Sequence, residues 1–341
     1  MSMMDSDRRR PVLQVNDLTV HFPAPGGRVV HAVDGVSFEV QEGRSLGIVG
    51  ESGSGKSTTA QGVMRLVPAT AGQVVLHDED FLALRGRRLR QARRRIQMVF
   101  QDPFASLDPR RQAGELVAEP LRLLEGLSRR AAAERVAQLL LSVGLPPEAA
   151  FLYPHQFSGG QRQRLCIARA LATEPDLIVC DEAVSALDVA IQAQILNLLR
   201  RLQEERGIAY IFISHDLGVV QHLCDEIAVM YLGQIIEQGP TASFFTAPRH
   251  PYSWSLISAA VPAGVMRDRL KARYLVRGEP PSPIDPPRGC RFAGRCAFAE
   301  DRCRAEAPLP VAVGPRHFVS CHRAGEIEAP DFSAQPTTLC A

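Results

Sequence analysis

Residues 45–60 read SLGIVGESGSGKSTTA, a short apolar run followed by a glycine-rich loop. The loop has the pattern G-x-x-x-x-G-K-S, which begins at Gly50 and ends at Lys56 and Ser57. Glycines let a backbone wrap a phosphate without Cβ clashes, and the N–H groups of a following helix point at the anion. In such a pattern the lysine reaches the β- and γ-phosphates and the serine can hold Mg²⁺. The stretch therefore predicts a strand, a phosphate-binding loop (P-loop) and a helix.

The overall composition is that of an ordinary globular chain. Of the 341 residues, 45% are apolar and 22% charged, and the formal net charge is +2. So small a charge does not by itself imply nucleic acid or a membrane surface as a partner. No stretch approaches 18 uninterrupted apolar residues, and the start, MSMMDSDRRRP, lacks the apolar core of an export signal. We therefore expect a cytosolic protein with one large or two modest domains.

A nucleotide site also needs an acidic partner for its metal, and LIVCDEA, residues 177–183, supplies one. The apolar run predicts a strand that ends in Asp181 and Glu182. Asp181 is placed to orient Mg²⁺, and Glu182 to polarise a water for attack on the γ-phosphate. An acidic pair at a strand end is otherwise a solvated turn. Its pairing with the P-loop favours the site.

Three further segments make the interpretation specific. FSGGQRQRLCIARAL, residues 157–171, places Ser158 and two glycines at the head of an amphipathic helix. Gln101 in VFQDP and His215 in IFISHD each follow an apolar strand. Each segment alone is a weak signal, because glycine pairs are common in linkers and histidines on surfaces. Their order, P-loop, glutamine, SGGQ, DE, SALD and histidine, is hard to obtain by chance.

These motifs together resemble the ATP-binding subunit of ABC transporters over nearly the whole chain. The resemblance implies an α/β P-loop NTPase core with a RecA-like subdomain, an antiparallel β subdomain and a helical subdomain. We expect the nucleotide-binding domain at 12–245, with the helical subdomain at about 105–165. Residues 246–341 are expected to form a small Cys-rich C-terminal extension, with the cysteines between 290 and 321.

The resemblance also assigns roles to residues, with ATP and Mg²⁺ as cofactors. Glu182, His215 and Gln101 are the predicted catalytic residues. Mg²⁺ is expected at Ser57, Gln101 and Asp181. Phe22 takes the adenine-stacking position, although a strand-end core aromatic is the alternative. The expected nucleotide-binding residues are Phe22, Gly50, Ser52, Gly53, Ser54, Gly55, Lys56, Ser57, Thr58, Ser158, Gly159, Gly160, Gln161 and Asp188.

In this family two ATPase subunits face head to tail, with each ATP between one P-loop and the other subunit's SGGQ helix. One P-loop covers one side of a triphosphate. The N-terminus of a second helix, from the partner subunit, therefore encloses the nucleotide only while the γ-phosphate is present.

Three stretches look like the oligopeptide and dipeptide importer ATPases specifically: VFQDPFASLDPR, RHPYSWSLISAAVP and GEPPSPIDPPRGCRFAGRC. One departure is Ala183, where that family usually has proline.

The family resemblance implies peptide uptake at the cytoplasmic face of the membrane, where the chain is peripheral. The implied partners are two transmembrane permease subunits and a second, related ATPase chain that forms a heterodimer with it. An extracytoplasmic solute-binding protein would act indirectly. The same machinery importing nickel, glutathione or another small solute is the alternative.

Two other classes fit the sequence less well. Soluble ABC ATPases of DNA repair insert a long coiled coil, and those of translation carry two ATPase domains. Here about a hundred residues separate Lys56 from Ser158, without sustained heptads, and there is one motif set. A binding module without hydrolysis conflicts with the intact catalytic residues. The arginine run at 85–95 has no interleaved aromatics, so we expect an exposed basic stretch and no nucleic acid, with anionic lipid headgroups or an acidic partner surface as the alternative.

Half of the eight cysteines fall in a Pro-, Gly- and Arg-rich segment with the spacing C-x5-C-x6-C-x17-C. Such a segment has few apolar residues for a core of its own, so we expect a cross-link such as a bound metal to stabilise it. Disulfides are unusual in the cytosol, and zinc sites usually have tighter C-x2-C to C-x4-C knuckles. By resemblance to the tail of peptide-importer ATPases we expect a structural [4Fe–4S] cluster, with zinc as the alternative. Cys166, Cys180 and Cys340 are not expected to ligate; the expected ligands are Cys290, Cys296, Cys303 and Cys321.

Overall fold

The computed structural model describes residues 10–185, 187–260 and 278–329. Its strands are β1 (Pro11–Ala24), β2 (Arg28–Gln41), β3 (Ser45–Val49), β4 (Ala71–Leu76), β5 (Glu79–Asp80), β6 (Ile96–Val99), β7 (Leu177–Asp181), β8 (Ala209–Ser214), β9 (Glu226–Tyr231), β10 (Gln234–Pro240), β11 (Val311–Gly314) and β12 (His317–Val319). Its α-helices are α1 (Lys56–Val63), α2 (Gly86–Arg95), α3 (Ala113–Leu124), α4 (Arg129–Ser142), α5 (Gly159–Leu171), α6 (Val189–Arg206), α7 (Leu217–Leu223), α8 (Thr241–Thr246), α9 (Pro251–Ala260) and α10 (Asp301–Ala305).

The described residues form two compact units, each made of several chain segments. The first contains 10–14, 39–44 and 75–211, and the second contains 15–38, 45–74 and the residues from 212 onward. Strands β2, β1, β4 and β5 pair in that order, as expected of alternating apolar and polar residues near the start of the chain.

In the first unit, β6 and β7 run parallel, with Ile96 opposite Leu177 and Val99 opposite Cys180. Every residue of β7 is buried, which is typical of a central strand of a parallel sheet. Helices α3, α4 and α5 pack against one another. These helices account for the helical periodicity predicted between about 105 and 165. Helix α6 ends at Gly207, in the left-handed conformation that glycine adopts readily (φ 66°).

In the second unit the strands follow the order β11-β12-β10-β9-β3. Strand β3 runs parallel to β9, with Leu46 opposite Glu226, and β10 pairs antiparallel with both β9 and β12. Strand β12 lies in the tail, which the sequence suggested would be a small Cys-rich C-terminal extension. Because β12 hydrogen-bonds to β10, the tail continues the sheet that contains β3. A strand-to-strand ladder can form over residues distant in sequence, which the local composition of the tail does not reveal.

Among the residues with described structure, no helix is both long enough and apolar enough to cross a bilayer.

Candidate nucleotide site

The P-loop joins β3 to α1, as the sequence predicts, and two of its glycines are required by close backbone approaches. A Cβ on Gly50 would lie 2.1 Å from the carbonyl oxygen of Met230. A Cβ on Gly55 would lie 2.3 Å from the carbonyl oxygen of Ala32, and Gly55 has a φ of 103°. Both positions therefore exclude side chains, because a backbone oxygen cannot yield as a flexible side chain can.

The loop folds around its lysine. Lys56 is buried, and its Nζ donates to the carbonyl oxygens of Gly50 at 2.9 Å and Glu51 at 2.8 Å. Ser54 is also buried, and its carbonyl oxygen accepts a hydrogen bond from the backbone N–H of Gly233. The Lys56 ammonium group is thus paired with carbonyl dipoles of the same loop that is predicted to bind phosphate.

The other predicted site residues of the second unit are more exposed. Ser57 and Thr58 are half-buried in the first turn of α1, and Ser52 and Gly53 are exposed. Phe22 is half-buried on β1. His215 follows directly after β8 and is exposed.

In the first unit, β7 ends at Asp181, which is buried, and Glu182 follows it. Glu182 has a φ of 47°, in the left-handed region where a side chain costs about 1–2 kcal/mol. The Nε2 of Gln101 donates to a carboxylate oxygen of Glu182 at 2.8 Å. The structure therefore brings together two predicted catalytic residues that lie 81 positions apart in sequence.

The SGGQ motif forms a capping box at the start of α5. The Ser158 hydroxyl accepts from the N–H of Gln161, and the Gln161 side chain accepts from the N–H of Ser158. Gly159 leaves room for a side chain, since a Cβ there would lie 3.6 Å from the nearest atom of Leu187. A Cβ on Gly160, by contrast, would lie 2.5 Å from Cγ2 of Ile191 on α6. The motif thus has a local structural role besides the one predicted for it.

Asp188 caps the next helix. Its side chain accepts a hydrogen bond from the N–H of Ile191 at 2.9 Å, which fixes the start of α6. Such N-caps contribute about 1 kcal/mol to a helix.

The four cysteines of the tail line one pocket, together with Phe292 and Phe298. The N–H of Cys290 donates to the carbonyl oxygen of Cys303, and Gly289 lies so close to that oxygen that a Cβ there would be 2.4 Å from it. No disulfide joins any of the described cysteines. The tail therefore brings together the thiols that the spacing singled out.

Burial raises the pKa of Cys290, Cys296 and Cys321 to about 11, and the thiols also raise one another's pKa. Cys166 and Cys180 are buried in α5 and β7, and burial raises the pKa of Cys166 to about 12. Cys340 lies outside the described residues.

Several contacts of the second unit were not predictable from motifs. Glu51 of the P-loop pairs with Arg295 of the tail, at 2.9 Å, and its N–H donates to Tyr252 at 2.8 Å. A further cluster contains His21, His31 and Asp34, whose nearest nitrogen and oxygen atoms lie within 4.8 Å of one another.

Asp34 of that cluster forms an ion pair with Arg291 of the tail. Burial raises the pKa of Asp34, but hydrogen bonds from Arg291 and His21 outweigh burial and hold the pKa below its ordinary value. Arg291 also donates to the carbonyl oxygen of Leu232.

The arginine run at 85–95 is largely helix α2. Three of its arginines form ion pairs within the first unit: Arg88 with Glu79, Arg94 with Glu125 and Arg95 with Asp176. Part of the run's charge is therefore paired within the protein.

Two family models match the chain. The ABC transporter model matches residues 33–185, and the model for the C-terminal region of oligopeptide/dipeptide transporters matches residues 236–303. The second match contains three of the four clustered cysteines.

Curated proteins match over nearly the full length. A probable peptide ABC transporter ATP-binding protein of Sinorhizobium fredii is 53% identical, covering 97% of this chain and 94% of its own. The oligopeptide transport ATP-binding protein OppF of Salmonella typhimurium is 47% identical, covering 92% of this chain and 97% of its own.

Solved structures share the fold. One is the dimeric ATP-binding cassette MJ0796 bound to ADP and Pi, with a TM-score of 0.60 and 29% identity over 67% of this chain and 98% of its own. Another is cbiO1 of Clostridium perfringens, with a TM-score of 0.61 and 28% identity over 70% of this chain and 91% of its own. The chain therefore belongs to the ABC transporter family, among the ATP-hydrolysing subunits of the oligopeptide/dipeptide group.

Proposed function

We propose that this chain binds and hydrolyses ATP to drive peptide uptake through partner membrane subunits. The observation that carries the proposal is the tail match at 236–303, because it lies largely beyond the ATPase core and is described for oligopeptide and dipeptide transporters. The relatives named for peptide or oligopeptide transport match both the core and this tail.

The chemistry rests on groups of this chain. Glu182 is assigned as the general base for the attacking water, since its carboxylate follows buried Asp181 at the end of β7. Gln101 donates to that carboxylate and so orients it. Lys56 and the P-loop N–H groups would hold the phosphates of Mg²⁺-ATP, whose γ-phosphate is the group transferred to water. Asp181, Ser57 and Gln101 would hold the metal.

The nucleotide-binding domain is assigned to 12–245 and the tail to 246–341. His215 is assigned a catalytic role, and Phe22 the adenine-stacking position. The SGGQ motif at 158–161 and Asp188 are assigned to nucleotide binding, with the SGGQ helix facing the ATP of a second ATPase subunit. The solved relative described as dimeric and bound to ADP and Pi supports pairing of two cassettes. We assign the chain to the cytoplasmic face of the membrane, bound to two permease subunits and a related ATPase.

The four thiols of the cysteine pocket are the candidate ligands for a metal group. By resemblance to the tail of peptide-importer ATPases, we propose a [4Fe–4S] cluster held by Cys290, Cys296, Cys303 and Cys321, with a single zinc ion as the alternative. A bound cluster would require the thiolates, so the raised thiol pKa values apply only without it.

Purification tests the assembly. The tagged chain, extracted in gentle detergent, should bring along two membrane subunits and a second ATPase chain, and the preparation should hydrolyse ATP. Recovery of the chain alone, or with proteins of DNA repair or translation, would contradict the proposal.

A further inference from the structure

Glu51, the second residue of the P-loop, is held at three points. Its N–H donates to the Tyr252 hydroxyl at 2.8 Å. Its carbonyl oxygen accepts from Lys56 Nζ at 2.8 Å. Its carboxylate accepts from two nitrogens of the Arg295 guanidinium, at 2.9 and 3.3 Å. One loop residue therefore links the phosphate-binding lysine to the cysteine-rich tail.

Arg295 is well placed to hold this carboxylate. Its side chain is 10% exposed, while that of Glu51 is 31% exposed. The two-nitrogen contact fixes the orientation of the carboxylate as well as its distance, which a lysine could not do. The guanidinium also contacts the Tyr231 hydroxyl at 3.3 Å, so its own position is constrained.

The tail segment that carries Arg295 is anchored on the same unit by packing. Phe292 is 2% exposed, and its ring lies 5.3 Å from Tyr231 and 5.4 Å from Tyr252. Tyr252 is the residue that also accepts from the Glu51 N–H. The aromatic cluster thus sets the distance between the P-loop and the segment around Cys296.

A second arginine anchors the segment independently. Arg291 donates to the carbonyl oxygen of Leu232 and to Asp34. Gly233, which follows Leu232 in the chain, donates its N–H to the carbonyl oxygen of Ser54 in the P-loop. The tail therefore reaches the loop at two points, at Glu51 directly and at Ser54 through the 232–233 turn.

We propose that Arg295 is a positioning residue for the P-loop: it holds Glu51, and through Glu51 it fixes the loop shape that binds ATP. The proposal rests on the function proposed above, since it takes the P-loop to be the ATP site. Arg295 acts on the loop and Glu182 on the attacking water. Loss of Arg295 should therefore weaken ATP binding and spare the hydrolytic step.

The test measures ATP affinity of the purified full chain and steady-state kinetics of the assembled transporter. Arg295→Ala should raise the Kd and the KM for ATP about tenfold, with kcat within about twofold of wild type. Arg295→Lys should recover part of the affinity, because it restores the charge without the two-nitrogen contact. The control, Arg302→Ala on the exposed face of α10, should leave both constants unchanged.

A double-mutant cycle identifies the partner. Glu51→Gln should weaken ATP binding as Arg295→Ala does, and the combined variant should be no weaker than either one. An unchanged Kd in Arg295→Ala, or additive losses in the double variant, would overturn the proposal. If the Arg295→Ala variant does not fold, an unchanged Kd for ATP in Glu51→Gln would overturn the proposal in its place.

Peptide uptake, measured beside ATP affinity on the same preparations, separates this proposal from the proposed function. A wild-type chain that binds ATP tightly but drives no peptide uptake would refute the transport role and leave the Arg295 test intact. A wild-type chain that binds no ATP would refute both.

Discussion

Glu182 combines an unusual backbone with a specific side-chain contact. Its φ of 47° turns the chain sharply after β7, and its carboxylate meets the Gln101 amide at 2.8 Å. Strained residues persist where the surroundings hold them, and they cluster at functional sites. Buried Asp181 before it and the hydrogen bond to Gln101 supply that support. The backbone turn and the Gln101 amide thus hold the carboxylate that we propose as the general base.

Glu182→Gln should therefore abolish turnover and keep ATP binding. The amide fills the same volume and cannot accept a proton from water, so kcat should fall at least a hundredfold, within the range of general-base catalysis of roughly 10²–10⁴. Single-turnover hydrolysis and equilibrium ATP binding would be measured on the assembled transporter. Glu148→Gln, at an exposed position, serves as the control. Turnover within tenfold of wild type would refute the assignment.

At the scale of elements, the contact between α5 and α6 depends on one glycine. A Cβ on Gly160 would lie 2.5 Å from Cγ2 of Ile191, whereas a Cβ on Gly159 meets its nearest atom at 3.6 Å. Alanine normally stabilises a helix relative to glycine by about 1 kcal/mol. The stability of the protein should therefore respond differently to alanine at these two neighbouring glycines.

We expect Gly160→Ala to lower the free energy of unfolding by about 1–3 kcal/mol, because overpacked positions force the neighbouring side chain to shift. Gly159→Ala should leave it unchanged or raise it. Urea unfolding of each variant would measure both effects, and Gly160→Ala combined with Ile191→Ala should lose less than the sum of its parts. Equal stability of the two glycine variants would show that the helices do not meet as described.

The buried polar network around Glu237 gives a pH dependence. Glu237 is 1% exposed and accepts from the N–H groups of Arg249 and His250 and from His317. The Nδ1 of His250 accepts from the N–H of Tyr252 at 3.0 Å, so it carries no proton. Burial lowers the pKa of His250 from 6.5 to about 4.

Stability should therefore fall as the pH drops from about 6.5 to 4. In that window the unfolded chain binds a proton at this histidine and the folded chain does not, which costs up to about 3 kcal/mol at the lower end. Thermal unfolding at several pH values should show a shallower pH slope for His250→Gln than for wild type. The exposed His155→Gln control should keep the wild-type slope. Identical slopes in all three proteins would contradict the role of His250.

Much of the site was predictable because each motif is local. The strand before the P-loop, the strand ending in Asp181 and the helix that follows Ser158 each depend on a dozen residues or so, and the structure has them where the sequence placed them. The Gly160 contact with α6 and the pairing of Glu51 with Arg295 were missed. The latter joins residues 244 positions apart, and nothing in RFAGRC marks one arginine as the partner. Only the folded chain brings such pairs together.

At the scale of the whole molecule, the four-cysteine pocket and the P-loop belong to one compact unit. Protein purified without oxygen should be brown, absorb near about 400 nm and contain roughly four iron atoms per chain. Cys296→Ser should lose the colour and most of the iron. Colourless protein with one zinc per chain would replace the cluster by zinc, and metal-free protein would refute both.

ATP hydrolysis by this chain is proposed to drive peptide uptake. The most direct measurement is the accumulation of labelled oligopeptides in proteoliposomes that contain the purified assembly. ATP is supplied on the side of the ATPase subunits, and the solute-binding protein is supplied on the opposite side of the membrane. Uptake should require ATP, and Lys56→Ala should abolish it, because the P-loop loses the charge that meets the phosphates. ATP-independent uptake, uptake that Lys56→Ala leaves unchanged, or hydrolysis with no accumulation of any peptide would contradict the account.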